Sequence, residues 1–164
     1  MATEELGTRE ECLACRLNAD PSGAPGGRIK NYVHWFLEHI IEPVPITGWL
    51  ILKTKRHTEG ITGLNREEAA ELGEILERVP KIQQALLRAE KIYVCCFTEW
   101  VSHLHLHLIP QPAEEKYRGP KAFDLQQAVE EGEQKPAPSK EVEKFVEQLR
   151  QKLLDAFRSK EKAT

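Results

Sequence analysis

The sequence lacks what would place it in several large classes. No apolar stretch approaches the length of a membrane span. Its first residues, Met1-Ala2-Thr3-Glu4-Glu5, have neither a basic start nor an apolar segment, so no secretory signal is expected and the expected compartment is cytoplasmic. Positive charge is not in excess. The 23 Lys and Arg against 26 Asp and Glu leave a net charge of -3, which argues against a general nucleic-acid binder. There is no internal repeat. Cysteine is scarce, and its four copies fall into two pairs, Cys12 with Cys15 and Cys95 with Cys96. At 164 residues the chain is long enough for a single core.

What is present is concentrated. Three of the six histidines occupy five residues, His103-Leu104-His105-Leu106-His107, followed by Leu108-Ile109-Pro110. On a β-strand alternate side chains share a face, so the imidazoles project together, roughly 6.6 Å apart, and the leucines enter a core. A helical period would scatter them. Imidazole changes charge near neutral pH and serves as base, nucleophile or metal ligand. The row therefore reads as a catalytic or metal site; the plainer alternative is a histidine-rich surface strand without chemistry.

The rest of the chain divides into three stretches. Residues 1–30 read as irregular, with turn chemistry in Asp20-Pro21-Ser22-Gly23-Ala24-Pro25-Gly26-Gly27. Residues 31–110 read as the compact part. Within it, 32–41, 48–53, 92–98 and 103–109 are expected strands. Asn65 is an expected helix N-cap, with Glu67 and Glu68 in the first turn. Leu72, Ile75, Leu76 and Val79 recur at helical spacing, and Pro80 is expected to end or kink that helix before 82–89. Residues 111–164 read as a charged extension. It holds a stiff Lys135-Pro136-Ala137-Pro138 linker and a final helix from Ser139, with Val142, Phe145, Val146, Leu149, Leu153 and Phe157 as its apolar stripe.

Among the remaining polar groups, Lys53, Lys55 and Arg56 read as a solvated face, and one of Cys95 and Cys96 as a core residue. His34 and His39 read as packed or exposed polar groups on the first strand. Cys12 and Cys15 form a Cys-x-x-Cys, which in a cytoplasmic chain is half a zinc site or a redox pair. Thioredoxin-like redox chemistry would need a strand before the motif and a helix after it, and neither is visible in the sequence.

The histidine row resembles the signature of the histidine-triad family, His-x-His-x-His followed by two apolar residues, which residues 103–109 fill completely. A second stretch agrees. Pro43-Val44-Pro45-Ile46-Thr47-Gly48-Trp49-Leu50-Ile51-Leu52-Lys53-Thr54-Lys55-Arg56-His57 has the family's Pro-Val, short turn, Gly, apolar strand and Lys-x-His. The resemblance spans roughly residues 12–112. It implies an α+β fold: an antiparallel sheet of about five strands with flanking helices, a family domain over 1–112 and an extension over 113–164. It also implies a homodimer acting on a nucleotide or dinucleotide. The activity implied is hydrolysis of a nucleoside phosphoanhydride or phosphoramidate, releasing a nucleoside monophosphate. His105 would be the nucleophile, and His107 would donate to the non-bridging phosphate oxygens. The related nucleotidyltransferases carry Gln at the third position, so His107 favours hydrolysis.

By the same resemblance, Cys12, Cys15, His57 and His103 would hold a structural zinc, with His34 and His39 in reserve. One departure stands out. The family's Gln and Ser/Thr ahead of the triad are Glu99 and Trp100 here, and an ionised Glu donates no hydrogen bond. Thr98 or Ser102 could take over as substrate contacts. The usual Arg after the terminal Pro is Gln111. The alternative function is a zinc-stabilised nucleotide-binding protein with little turnover, or a nucleotidyltransferase.

Overall fold

The computed structural model describes residues 11–161, so the N-terminal residues 1–5 considered above lie outside them. Five strands form one antiparallel sheet in the order β1-β2-β3-β5-β4. They are β1 (Arg28–Asn31), β2 (Trp35–His39), β3 (Leu50–Thr54), β4 (Lys91–Cys95) and β5 (His105–Gln111). The helices are α1 (Leu13–Ala19), α2 (Arg66–Leu87), α3 (Asp124–Glu130) and α4 (Ser139–Glu161). This is the α+β arrangement expected. No helix among the described residues is long and apolar enough to cross a membrane.

Strand alternation gives the sheet two different faces. Trp35, Leu37, Leu50, Leu52, Leu106 and Leu108 point to one side. There they meet Leu72, Ile75 and Val79 of α2 and Phe145, Val146, Leu149 and Leu153 of α4. The other side carries Ile51, Lys53, His105 and His107. Register places Lys53 opposite His105 and Ile51 opposite His107. Beside them a second cluster gathers Ile40, Val44, Trp49 and Ile109 with Ala122 and Leu125 from the stretch after β5. The same strands thus build the main core with one set of residues and present the histidines with the other.

Helix α2 starts where Asn65 predicts. The Asn65 side chain accepts from the Glu68 N–H, and Glu68 reaches back to the Asn65 N–H, so two orphan donors are satisfied together. Pro80 neither ends nor divides the helix, which runs through it to Leu87. Ile75 and Val79 before Pro80 and Gln83 after it are buried on one face, and this packing holds the turn that Pro80 weakens. Gln83 donates to Gly48 O at 2.7 Å and to Leu108 O at 2.9 Å. Gly48 itself has φ +89°, and a Cβ there would stand 2.3 Å from Leu87 Cδ1, so the β2–β3 turn admits only glycine. Its N–H donates to His39 Nε2 at 2.8 Å. Burial lowers the His39 pKa to about 4, so His39 is a neutral bracket of this turn.

Several sequence expectations are corrected. Residues 11–30 are not irregular: they hold α1, a 3-10 turn at Pro21–Gly23, and the start of β1. A helix does therefore follow Cys12. The strand expected over 32–41 is the single strand β2, with residues 32–34 turning between β1 and β2. Glycine and proline masked these short elements, because a four-residue strand offers too little alternation to outweigh them. Neither Cys95 nor Cys96 is in the core, since the first is half-buried and the second exposed at the β4 edge. Lys53 is buried at 2 % exposure and paired with Glu38, not solvated. Arg56 pairs with buried Glu68.

Candidate active site and metal centre

His105 and His107 lie on β5 with ring centroids 5.0 Å apart. Their hydrogen bonds fix opposite tautomers. A carbonyl only accepts, so His105 Nδ1, 2.7 Å from His103 O, carries the proton and leaves Nε2 with its lone pair. An indole only donates, so His107 Nδ1, 3.0 Å from Trp49 Nε1, is the acceptor and Nε2 carries the proton. Burial first, and His105 second, lower the His107 pKa to about 4. The ring is therefore neutral at physiological pH. Trp49 and Phe123 enclose it edge-on at 5.7 Å and 5.0 Å. One imidazole thus offers a nucleophile and its neighbour a donor.

Both rings line a cavity of about 260 Å³. Leu13, Ala14 and Leu17 of α1 roof it, and β2, β3 and residues 97–101 complete it. Thr98, Glu99 and Trp100 stand at this cavity, with Thr98 in the left-handed region at φ 56°. Trp100 is 94 % exposed. Ser102 is placed elsewhere: it lines the adjoining hollow with Cys12 and His57. Sequence reasoning missed Trp49 and the Lys53–Glu38 pair. Trp49 gave no signal, since its role depends on a partner 58 residues away. Lys53 did give one: it falls on the histidine face, out of phase with Leu50 and Leu52.

Beyond the first triad position the chain leaves regular pairing. His103 precedes β5, in an isolated bridge with Glu59. Its Nε2–H donates to Thr54 O at 2.8 Å, which leaves the Nδ1 lone pair facing Cys12 and Cys15. One ligand atom each from Cys12, Cys15, His57 and His103 lie within 4.8 Å of one another. The contacts are Cys12 Sγ to His103 Nδ1 at 3.7 Å, Cys15 Sγ to His103 Nδ1 at 3.4 Å, and Cys15 Sγ to His57 Nδ1 at 3.3 Å. Ligands at Zn–S and Zn–N lengths around a tetrahedral ion stand roughly 3.3–3.8 Å apart, and these three contacts match that spacing. Two thiols and two imidazoles form a closed structural zinc set, and the residues fit the ion. His34 and His39 lie outside this cluster. Burial, ahead of the neighbouring His57, Lys53 and His105, lowers the His103 pKa to about 4 and keeps its imidazole neutral for ligation.

No family model matches the chain, and no curated protein matches it. Solved structures do. A zinc-bound histidine triad family protein from Mycobacterium smegmatis superposes with a TM-score of 0.67 at 17 % identity, over 91 % of this chain and 97 % of its own. A histidine triad protein from Sinorhizobium meliloti gives 0.62 at 22 %, over 88 % and 98 %. A hypothetical histidine triad nucleotide-binding protein from Sulfolobus tokodaii gives 0.65 at 14 %, over 88 % and 93 %. Together with the triad signature filled by residues 103–109, these superpositions show that the chain has the histidine-triad fold.

Proposed function

We propose that the protein hydrolyses a nucleoside phosphoanhydride or phosphoramidate at the α-phosphate through a nucleotidyl-His105 intermediate, releasing a nucleoside monophosphate. The opposite tautomers of His105 and His107 in one cavity carry this reading. Neutral imidazole attacks a phosphate without the charge repulsion that an anionic nucleophile meets. His105 Nε2 forms the N–P bond as the P–O or P–N bond to the leaving group breaks, and Nδ1–H stays on His103 O. Water then attacks the phosphorus and the N–P bond returns its electron pair to Nε2, while the proton that water loses to solvent balances the one that the leaving group takes up from it. The sum is addition of water across the cleaved bond. His107 Nε2–H donates to the oxygens where charge gathers, and Thr98 is a second polar contact.

Cys12, Cys15, His57 and His103 would hold zinc in a structural role, where it supplies folding energy and no chemistry of its own. The Sulfolobus tokodaii protein, described as nucleotide-binding, supports the substrate class. Two copies of the chain would pair along β4, the sheet edge beside exposed Val94 and Phe97.

Release of nucleoside monophosphate from a panel of anhydrides and phosphoramidates is the test. His105→Ala is expected to lose nearly all turnover while nucleotide binding survives, because the lost contact acts in the transition state. His107→Ala is expected to lose on the order of 10²-fold, as for one charge-stabilising donor. Substantial hydrolysis by His105→Ala would overturn the mechanism. Glu99 and Trp100 at the cavity favour a second reading, a nucleotide-binding protein with little turnover. It is separated by Glu99→Gln: a rise in turnover on anhydrides means that Glu99 restrains a working site.

A further inference from the structure

The cavity's apolar lining is interrupted at its inner end. Lys53 Nζ donates to Glu38 Oε2 at 2.7 Å, and Arg28 Nε donates to Glu38 Oε1 at 3.0 Å. Lys53 and Glu38 are each 2 % exposed, and both line the cavity that holds His105 and His107. A buried ion pair is a weak source of stability, since desolvation offsets most of its attraction and an apolar pair would serve as well. Its place in a cavity wall gives it another use.

Counting donors and acceptors shows what use. The ammonium has three donors, and Glu38 takes one. The carboxylate has about four lone-pair sites, of which Lys53 and Arg28 take two. Two donors and two acceptor sites are left for a ligand. Arg28 fixes the carboxylate from behind, because its other nitrogen, Nη2, donates to Leu17 O at 3.1 Å and Asn18 O at 2.9 Å at the end of α1.

The position of the pair relative to His105 says which part of a ligand arrives there. Lys53 faces His105 in register, and Glu38 lies on β2, on the far side of β3. Two strand spacings separate β2 from β5, roughly 10 Å, which is the scale of a nucleoside. With phosphorus at His105 Nε2, one direction runs under Leu13 and Leu17 to the pair. The other runs out past exposed Trp100. The nucleoside, which has flat apolar faces to cover, takes the roofed direction, and the leaving group takes the open one.

Resting on the nucleotide reading above, we propose that Lys53 and Glu38 read the edge of the nucleobase and select a 6-oxopurine, guanine foremost. Guanine O6 accepts from Lys53 while N1–H and N2–H donate side by side to Glu38. These three bonds to charged partners are of the stronger kind. Hypoxanthine keeps two of them. Adenine offers one donor group and one ring nitrogen, in the opposite order along the edge. A site built to hydrogen-bond a polar edge penalises the ligand that leaves it unpaired.

Calorimetric titration of the full chain with GMP, IMP and AMP at one pH and salt tests the proposal. GMP is expected to bind about 10- to 100-fold more tightly than AMP, as one bidentate contact discriminates, with IMP between. Lys53→Met, which leaves Glu38 on Arg28, is expected to collapse that ratio, with AMP affected least. The double variant Lys53→Met/Glu38→Gln removes both charges without stranding either, and it is expected to show no preference while retaining a cooperative thermal transition. Equal wild-type affinity for GMP and AMP overturns the proposal even if no variant folds. So does an equal loss for all three nucleotides in Lys53→Met, which would assign Lys53 to the phosphate or to structure. If none of the three binds to the wild type, the nucleotide reading itself fails.

Discussion

The chemistry at the triad depends on where two protons sit. The face on which His105 stands was legible in the sequence, because alternation with leucine fixes it, whereas its role as nucleophile rests on the family resemblance. Its tautomer depends on the His103 carbonyl, two residues away, and was within reach of the same reading. The tautomer of His107 was not, since it is set by the buried indole of Trp49 on the neighbouring strand side. Trp49→Phe keeps most of the packing and removes only the N–H. His107 is then free to move its proton to Nδ1 and present a lone pair to the phosphate. We expect kcat to fall roughly 10- to 100-fold, the range for loss of one charge-stabilising donor, with nucleotide affinity little changed. Steady-state kinetics beside direct binding measures the split, and an equal loss in both would mean that Trp49 acts through the cavity wall instead. Lys53 shows the opposite failure of sequence reading. Grouped with Lys55 and Arg56 it looked like surface charge, because its partner Glu38 is 15 residues away and on another strand.

Among the elements, α1 has the least support of its own. Seven residues do not sustain a helix in water, and α1 has no acidic residue in its first turn. Cys12 and Cys15 tie its start to His57 and His103, while Asn18 at its end donates to Thr54 O at 2.9 Å. A metal held by these four residues would explain how a seven-residue segment that composition alone reads as irregular becomes a cavity roof. Protein purified without added zinc is expected to contain close to one equivalent by elemental analysis. Chelation is expected to lower the thermal midpoint and to open residues 11–27 to proteolysis before the sheet. Less than about a tenth of an equivalent in intact protein would count against the clamp. Helix α2 makes a second case. Its cap was legible in Asn65 and the acidic residues that follow, whereas its passage through Pro80 was not, because tertiary packing overrides the local break. Pro80→Ala restores the N–H that would bond to the preceding turn, and we expect a gain of about 1–3 kcal/mol in chemical denaturation. An unchanged or lower midpoint would show that the ring fills space that Ala leaves empty.

At the scale of the molecule, the sheet is packed on one face by α2 and α4, and β1 and β4 are its two edge strands. The sequence showed the stripe on α4 but not its destination, since amphipathicity marks a buried side without naming the surface it meets. Val146, Leu149 and Leu153 join the cluster built on β2, β3 and β5. At the edge, β4 presents Val94 at 44 % exposure, with Phe97 at 54 % just beyond it. Such an edge invites pairing with a second copy. Light scattering at micromolar concentration is expected to report about twice the 18.7 kDa of one chain. A mass of one chain would show that the edge stays free in solution.

The alternation along β3 and β5 has a consequence for how such a chain changes over generations. Leu50, Leu52, Leu106 and Leu108 pack against helices, while Ile51, Lys53, His105 and His107 line the cavity. Neighbouring positions therefore meet different physical demands. A lineage can exchange Lys53 or Ile51 for other residues, and so reshape the cavity wall, without disturbing the leucines one step away. This independence of two interleaved records suits a fold that is retained across bacterial and archaeal proteins sharing 14 to 22 % of their residues with this one.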